Sequence, residues 1–280
     1  MSIEIRALDH RDIDFALTQT AREGWDNTAS MFSSCLAHDS EGCFIAETDG
    51  HRVGMITTTR YAHSAWVGNL IVVPEHRRQG LGERLMEYAM SRLEARGVRT
   101  IRLEADPMGV GIYRRLGFVD QFESPRFQKK PPHAVDRCQA KRLGVADLEA
   151  VKAFDEICFG DDRGKLLGEL LDIAHGAYCV YTNRRLEGFA MVLPSAAGIR
   201  LGPCAADNPS AAGKLIDSVL ADFSGKTIIA AVPGVNATAL QLLESRGFER
   251  VGSCLRMLRG KASAESAPDK LVAIANGATG

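Results

Sequence analysis

The chain reads as a mixed α/β protein made of two successive domains, and three observations lead there. Its 280 residues exceed what one hydrophobic core usually organises. Runs of alternating or continuous apolar residues follow one another with segments of helical spacing between them, the pattern of a mixed α/β layer. The order of these segments then recurs after the charged, proline-bearing stretch 127–133. At an offset of 130 residues, Gly117-Phe118 falls on Gly247-Phe248 and Gly68 on Gly198.

The elements follow in order. Residues Ile3 to Leu8 alternate as a strand, and Asp9 to Asp12 supply start signals for a helix carrying Ile13, Phe15, Ala16 and Leu17. Two strands, 44–47 and 53–59, flank Asp49-Gly50, a pair that tolerates positive φ, so they form a hairpin. The apolar run 66–73 is a strand that Pro74 stops. Leu81, Leu85, Ala89 and Leu93 define a helix face, and Gly97 closes that helix. A strand at 101–105 and a helix at 109–116, ended by Gly117, complete the first half. The second half predicts a strand at 139–143, a helix from Asp147, strands at 178–182 and 188–193, and a strand-like run 198–202. A helix at 211–223, a strand at 227–232 and a helix at 237–245 follow. The expected division is a domain at 1–128, a linker at 129–135, a second domain at 136–260 and a flexible tail at 261–280, rich in Ala, Ser, Gly and Lys.

Composition narrows the function classes. Lys plus Arg (34) nearly cancels Asp plus Glu (35), which removes the global field that a nucleic-acid or membrane binder uses. The seven cysteines form no C-x-x-C pair and are odd in number, so reduced thiols in a cytoplasmic protein are expected. There is no apolar run of membrane-spanning length and no apolar leader. The seven histidines lack metal-ligand spacing, so no metal is expected. Gly109-x-Gly111 has Arg114 where a dinucleotide loop needs glycine, and Gly225-Lys226-Thr227 lacks the rest of a P-loop.

The informative window is 70–85: a buried strand, a basic turn, two glycines two apart, then an amphipathic helix. Backbone N–H groups at a helix start have no intrahelical partner and the dipole favours an anion. Gln79, Gly80, Leu81, Gly82 and Glu83 therefore offer a main-chain cradle for a diphosphate. The dipole supplies only about 0.3 to 1 kcal/mol, so Arg77 or Arg78 would share the binding. The plainer alternative is a solvated basic turn before a surface helix.

The run from Val73 through Arg77 and Gly80 to Gly82 resembles the acetyl-CoA loop of the GCN5-related N-acetyltransferases (GNAT), and Tyr113 through Gly117-Phe118 resembles the same family's Tyr-x-x-x-Gly-Phe close. The resemblance covers roughly residues 3–125. It implies that Val72 and Val73 pair the pantetheine arm through their main chain, that acetyl-CoA is the cosubstrate, and that Tyr113 is the general acid that protonates the leaving thiolate. A half-buried aromatic capping the sheet is the other reading of Tyr113. Where many relatives carry a strand carboxylate this chain has Gly68 and Asn69, so Glu104 is the carboxylate that resembles the base of some members, against a solvated strand end or a structural ion pair. Asp106 stands where the family usually has an Asn, and 23–27, with Trp25, is a candidate wall of the acceptor pocket.

In the second half, Asp207 to Ala212 has neither Arg nor the glycine pair, Pro209 removes a donor, and Leu243 replaces the acid Tyr. It resembles the degenerate acetyltransferase-like domain of tandem members. The expectation is therefore two tandem acyl-CoA N-acyltransferase (GNAT) folds. The first would transfer acetyl to the primary amine of a small molecule or peptide, in a ternary complex without an acyl-enzyme. A non-catalytic acyl-CoA sensor is the alternative, and a nucleic-acid binder using Arg77, Arg78, Arg114 and Arg115 a distant third.

Overall fold

The computed structural model describes residues 3–131, 140–261 and 266–280. Within them the chain packs as two compact units. The first holds 3–121 together with 256–261 and 277–279; the second holds 122–131, 140–255, 266–276 and 280.

In the first unit β1 (Ile3–Ala7) precedes α1 (Ile13–Arg22) and α2 (Ala29–His38), and the hairpin β2 (Cys43–Thr48) and β3 (His51–Arg60) follows. Asp49 and Gly50 turn it with φ of 50° and 77°. Then come β4 (Ser64–Val72), α3 (Leu81–Ala95), β5 (Thr100–Ala105) and α4 (Val110–Arg115). The strands lie side by side in the order β1-β2-β3-β4-β5. All neighbours are antiparallel except β4 and β5, which run parallel. Leu8, Ala16, Phe32, Leu36, Ile45, Met55 and Ile71 form one core under α1 and α2. Gly54 lies beneath Leu81 and Leu85 of α3, so α3 covers the opposite face. α2 has no counterpart in the sequence reading: three of its ten residues are serines, which weaken helical propensity, and its start rests on the Thr28 side chain accepting the Met31 N–H.

The second unit takes β6 (Val119–Lys129) from residue 122 on, and the strand runs through the stretch expected as a domain connection, pairing Phe127 with Ala230 and Lys129 with Ile228. Phe127 is buried in the second core while Arg126 and Gln128 alternate outward, so charge there marks one face of a strand. Residues 132–135 of the expected linker lie outside the described residues, as does Cys138. β7 (Lys141–Arg142), α5 (Leu148–Phe159), α6 (Gly164–Ile173), β8 (Gly176–Thr182), β9 (Arg185–Ser195), β10 (Gly198–Ala206), α7 (Pro209–Asp222), β11 (Ile228–Ala231) and α8 (Ala237–Ser245) follow. β12 (Glu249–Arg259) gives 256–259 to the first unit, beside β5. The expected flexible tail instead carries β13 (Leu271–Ala273), which pairs antiparallel with β10. Its Leu271, Val272 and Ala273 are all buried, and that burial orders it. The six described cysteines form no disulfide. No helix of the described residues is long and apolar enough to cross a membrane.

Candidate active site

The pairing of β4 with β5 runs from Ser64↔Thr100 to Val67↔Leu103 and stops there. One residue further, β4 carries a bulge: Gly68 faces Thr57 and Ile71 faces Met55, so two residues, Asn69 and Leu70, oppose Ile56 alone. Asn69 adopts φ 49°, a conformation Asn takes more readily than most side chains. Its Nδ2 donates to Thr57 Oγ1 at 3.1 Å, and Asn27 Nδ2 donates to its Oδ1 at 3.1 Å. The strands thus part at Gly68 on β4 and Glu104 on β5.

Beyond the bulge, β4 leads into the basic loop. Arg77 Nε donates to the Val72 carbonyl at 2.8 Å, and its Nη2 pairs with Glu23. Val73 donates its N–H to the Val53 carbonyl and its own carbonyl accepts from the His76 N–H, so both of its main-chain groups are paired within the chain. Gln79 Nε2 donates to the Glu75 carbonyl. Arg78 (φ 60°) and Gly80 (φ 80°) are both left-handed, and this is where a glycine is needed: a Cβ at Gly80 would meet no atom within 4 Å, so the demand is conformational and not steric. Gly80 caps α3 without a side chain, and the first intrahelical bond is Arg84 N–H to Gly80 O at 3.0 Å. By helix geometry the N–H groups of Leu81, Gly82 and Glu83 precede that bond and point along the axis out of the helix.

α4 lies beside this helix start. A Cβ on Gly82 would sit 3.7 Å from Ile112 Cδ1, and Arg115 Nη2 donates to Glu83 Oε2 at 3.2 Å. Tyr113 on the same helix is half-buried; its ring covers Gly109 and packs edge-on to Phe118 at 6.0 Å. Trp25 Nε1 reaches Asp106 Oδ2 at 3.1 Å, so the loop after α1 touches the basic loop through Glu23, the end of β5 through Trp25 and the bulge through Asn27. Thr57 escaped the sequence reading, which places Asn27 within the candidate acceptor wall 23–27 and Asn69 only in place of a strand carboxylate, although Gly68-Asn69 inside an apolar strand is itself a bulge signal.

Glu104 is placed otherwise than a solvated strand end. Its Oε1 accepts from Arg256 Nε at 2.5 Å, and the guanidinium stacks 4.5 Å over the ring of Trp66. Of the three uses read from the sequence, base, solvated strand end and structural ion pair, this geometry is that of an ion pair.

The second unit repeats the scaffold and fills it with its own chain. β10 and β11 pair only at Ile199↔Ile228 and Arg200↔Ile229, and β10 has an irregularity between Leu201 and Cys204. β13 runs alongside β10 beyond that point, Cys204↔Ala273, and the Ile274 N–H donates to Ala231 at the end of β11. Asn236 Nδ2 donates to the Leu271 carbonyl at 3.0 Å. At the start of α7 the Asn208 side chain accepts the Ala211 N–H, and Pro209 occupies the first helical position. Among the described residues no three His, Cys, Asp or Glu gather as a metal cluster.

Two parallel strands part at a bulge and a glycine-capped helix start follows the first of them, and the comparisons place this fold among the acyl-CoA-dependent acyltransferases. Two family models, each an acetyltransferase (GNAT) domain, match residues 39–120 and 151–273. A Pseudoalteromonas sp. (strain SANK 73390) protein named holothin acyltransferase is 27% identical over 244 residues, covering 85% of this chain and 82% of that one. A solved structure from Pyrococcus horikoshii is 26% identical with a TM-score of 0.86, covering 99% and 96% of the two chains. A tandem GNAT protein from the clavulanic acid biosynthesis pathway shares the fold at a TM-score of 0.64 and 15% identity, over 92% and 98%. The chain is a tandem protein of the GNAT acetyltransferase family, and an acyltransferase.

Proposed function

We propose that the first unit binds acetyl-CoA and transfers its acetyl group directly to a primary amine, and that the second unit binds no acyl donor. One observation carries the reading: beyond the bulge at Asn69, β4 leads to the bare start of α3, against which the helix bearing Tyr113 packs through Ile112. The first-turn amides of α3 offer oriented donors and a dipole end to a diphosphate, with Arg78 exposed beside them. Gln79 and Arg77 hold the loop in shape through Glu75, Val72 and Glu23, so their contribution to the donor is largely positional.

In the reaction the amine nitrogen forms a bond to the acetyl carbon, the carbon–sulfur bond breaks, and the sulfur leaves as a thiolate. Tyr113 is our assignment for the acid that supplies its proton, leaving a phenolate that recovers a proton from solvent; such transfers are typically worth about 10² to 10⁴ in rate. The incoming amine has a pKa near 10.4 in water, so it gives one proton to solvent before it attacks and a second as the amide forms. Glu104, the carboxylate expected as its base, is committed to Arg256, which favours the structural use of this residue.

The test is calorimetry and thiol release on the full chain. We expect saturable CoA binding with acetyl-CoA consumption stimulated by an amine from a broad panel. Absence of CoA binding, or binding unchanged by bulky substitutions at both Gly80 and Gly82, overturns the proposal.

A further inference from the structure

The reading above places the reaction where β4 and β5 part, and the present inference rests on it. Met55 and Ile71 face α1 and α2, and side chains alternate along a strand, so Thr57 and Thr59 share that face, together with their partners Gly68 and Trp66. It is the face away from α3 and its donor loop, the side left for an acceptor. Residues 277–279 lie on it.

Three consecutive carbonyls of this segment are seated on three buried side chains of the unit. Trp66 Nε1 donates to Gly277 O at 2.9 Å, Thr59 Oγ1 to Ala278 O at 3.4 Å, and Tyr61 Oη to Thr279 O at 2.5 Å. Ala278 lies directly against Gly68: a Cβ on Gly68 would fall 2.4 Å from both the Cα and the Cβ of Ala278. A Cβ on Gly277 would reach 4.0 Å from the Cβ of Glu104. The segment thus borders both residues at which the strands separate, and Ala278 and Thr279 are themselves only 9% and 7% exposed. Three donors arranged in register for one tripeptide make a built seat, in which Gly68 is small because Ala278 occupies its side-chain space.

We propose that Ala278, held by this seat, is a specificity-determining residue for the acceptor: with Gly277 it walls the acceptor side of the gap and admits primary amines on an unbranched carbon while excluding those on a branched one. Next to Gly68 at the bulge runs the polar chain Asn27–Asn69–Thr57, which suits an acceptor with a hydrogen-bonding group near its amine. A small apolar wall discriminates one extra carbon by about ten- to two-hundredfold, so the effect is measurable.

The experiment uses the full chain with acetyl-CoA and two amines that differ only in a methyl group next to the nitrogen. Ala278→Gly is expected to raise kcat/KM for the branched amine by about tenfold relative to the unbranched one, with the Kd for CoA unchanged. Ala278→Leu is expected to raise the acceptor KM for both, again without moving the CoA affinity. Equal effects of Ala278→Gly on the two amines overturn the inference, as does an Ala278→Leu protein of native melting temperature and CoA affinity with wild-type acceptor kinetics. If Ala278→Leu does not fold, the Ala278→Gly ratio decides alone. Wild-type protein that binds no CoA defeats the underlying reading as well; intact turnover with selectivity indifferent to residue 278 defeats only the inference.

Discussion

Glu104 and Arg256 stand 152 positions apart in the chain and meet at 2.5 Å, with 2% and 5% of their side chains exposed. Removing one member of a buried pair leaves the other charged and desolvated, at a cost of about 3 to 5 kcal/mol. Arg256→Met should therefore lower the melting temperature of the full chain markedly, measured by calorimetry. Glu104→Gln should also lower it, while the acidic limb of the kcat/KM profile persists. Loss of that limb with unchanged stability would restore Glu104 to the role of base.

Gly80 and Gly82 should respond differently to alanine. At Gly80 the left-handed backbone penalises any Cβ by about 1 to 2 kcal/mol, and relaxation of that strain reorients the amides of the helix start. At Gly82 a Cβ meets only ordinary contacts at 3.7 Å and 3.8 Å. Titration with CoA should show weakening of about tenfold for Gly80→Ala and little change for Gly82→Ala; the opposite ranking would remove the conformational argument.

Tyr113→Phe keeps the ring over Gly109 and against Phe118, so it should fold and bind CoA as the wild type does. Its kcat should fall by about 10² to 10⁴. Stopped-flow thiol release at saturating substrates reads this directly, and an unaltered kcat would return Tyr113 to a purely packing role.

Acid stability depends on Asp12. Burial alone pushes this carboxyl up, but hydrogen bonds from Arg6, the Asp9 N–H and Arg52 outweigh it, and the group ends well below the usual carboxylate range. A carboxyl whose folded value is depressed stabilises fully above its unfolded value, near 3.9, and loses that contribution as pH falls through the folded value. Asp12→Asn should thus be less stable than wild type at neutral pH, and the gap should narrow on acidification below about pH 4. Urea unfolding across that range checks it.

Donor stoichiometry is the fifth consequence of the geometry. β13 fills the parting of β10 and β11, and Asn208 and Pro209 satisfy the start of α7. Calorimetry on the full chain should return one CoA per chain; two would mean that β13 leaves its place.

Much of this was legible in the sequence, for identifiable reasons. The hairpin at Asp49-Gly50, the face Leu81-Leu85-Ala89-Leu93 and the closes at Gly117 and Gly247 are local, and local chemistry forms them as read. α2 was missed because serines dilute its apolar face, and β6 because the charges around Phe127 alternate outward from a strand. The donor loop was found through its glycines. What escaped is non-local: the bulge at Asn69 shows itself only in register with Thr57, Glu104 finds its partner at Arg256, and Gly68 is explained by Ala278. No periodicity encodes a meeting between residues two hundred positions apart.

The placement of 256–261 and 277–279 in the first unit bears on how the polypeptide matures at the ribosome. An amino-terminal fold ordinarily finishes while the remainder is still being translated. Here the strand that flanks β5, the counter-ion of Glu104 and the tripeptide against Gly68 emerge only after the intervening 122–255. The nascent first half must wait, incompletely closed and exposing Trp66, until residues 256–279 have followed it.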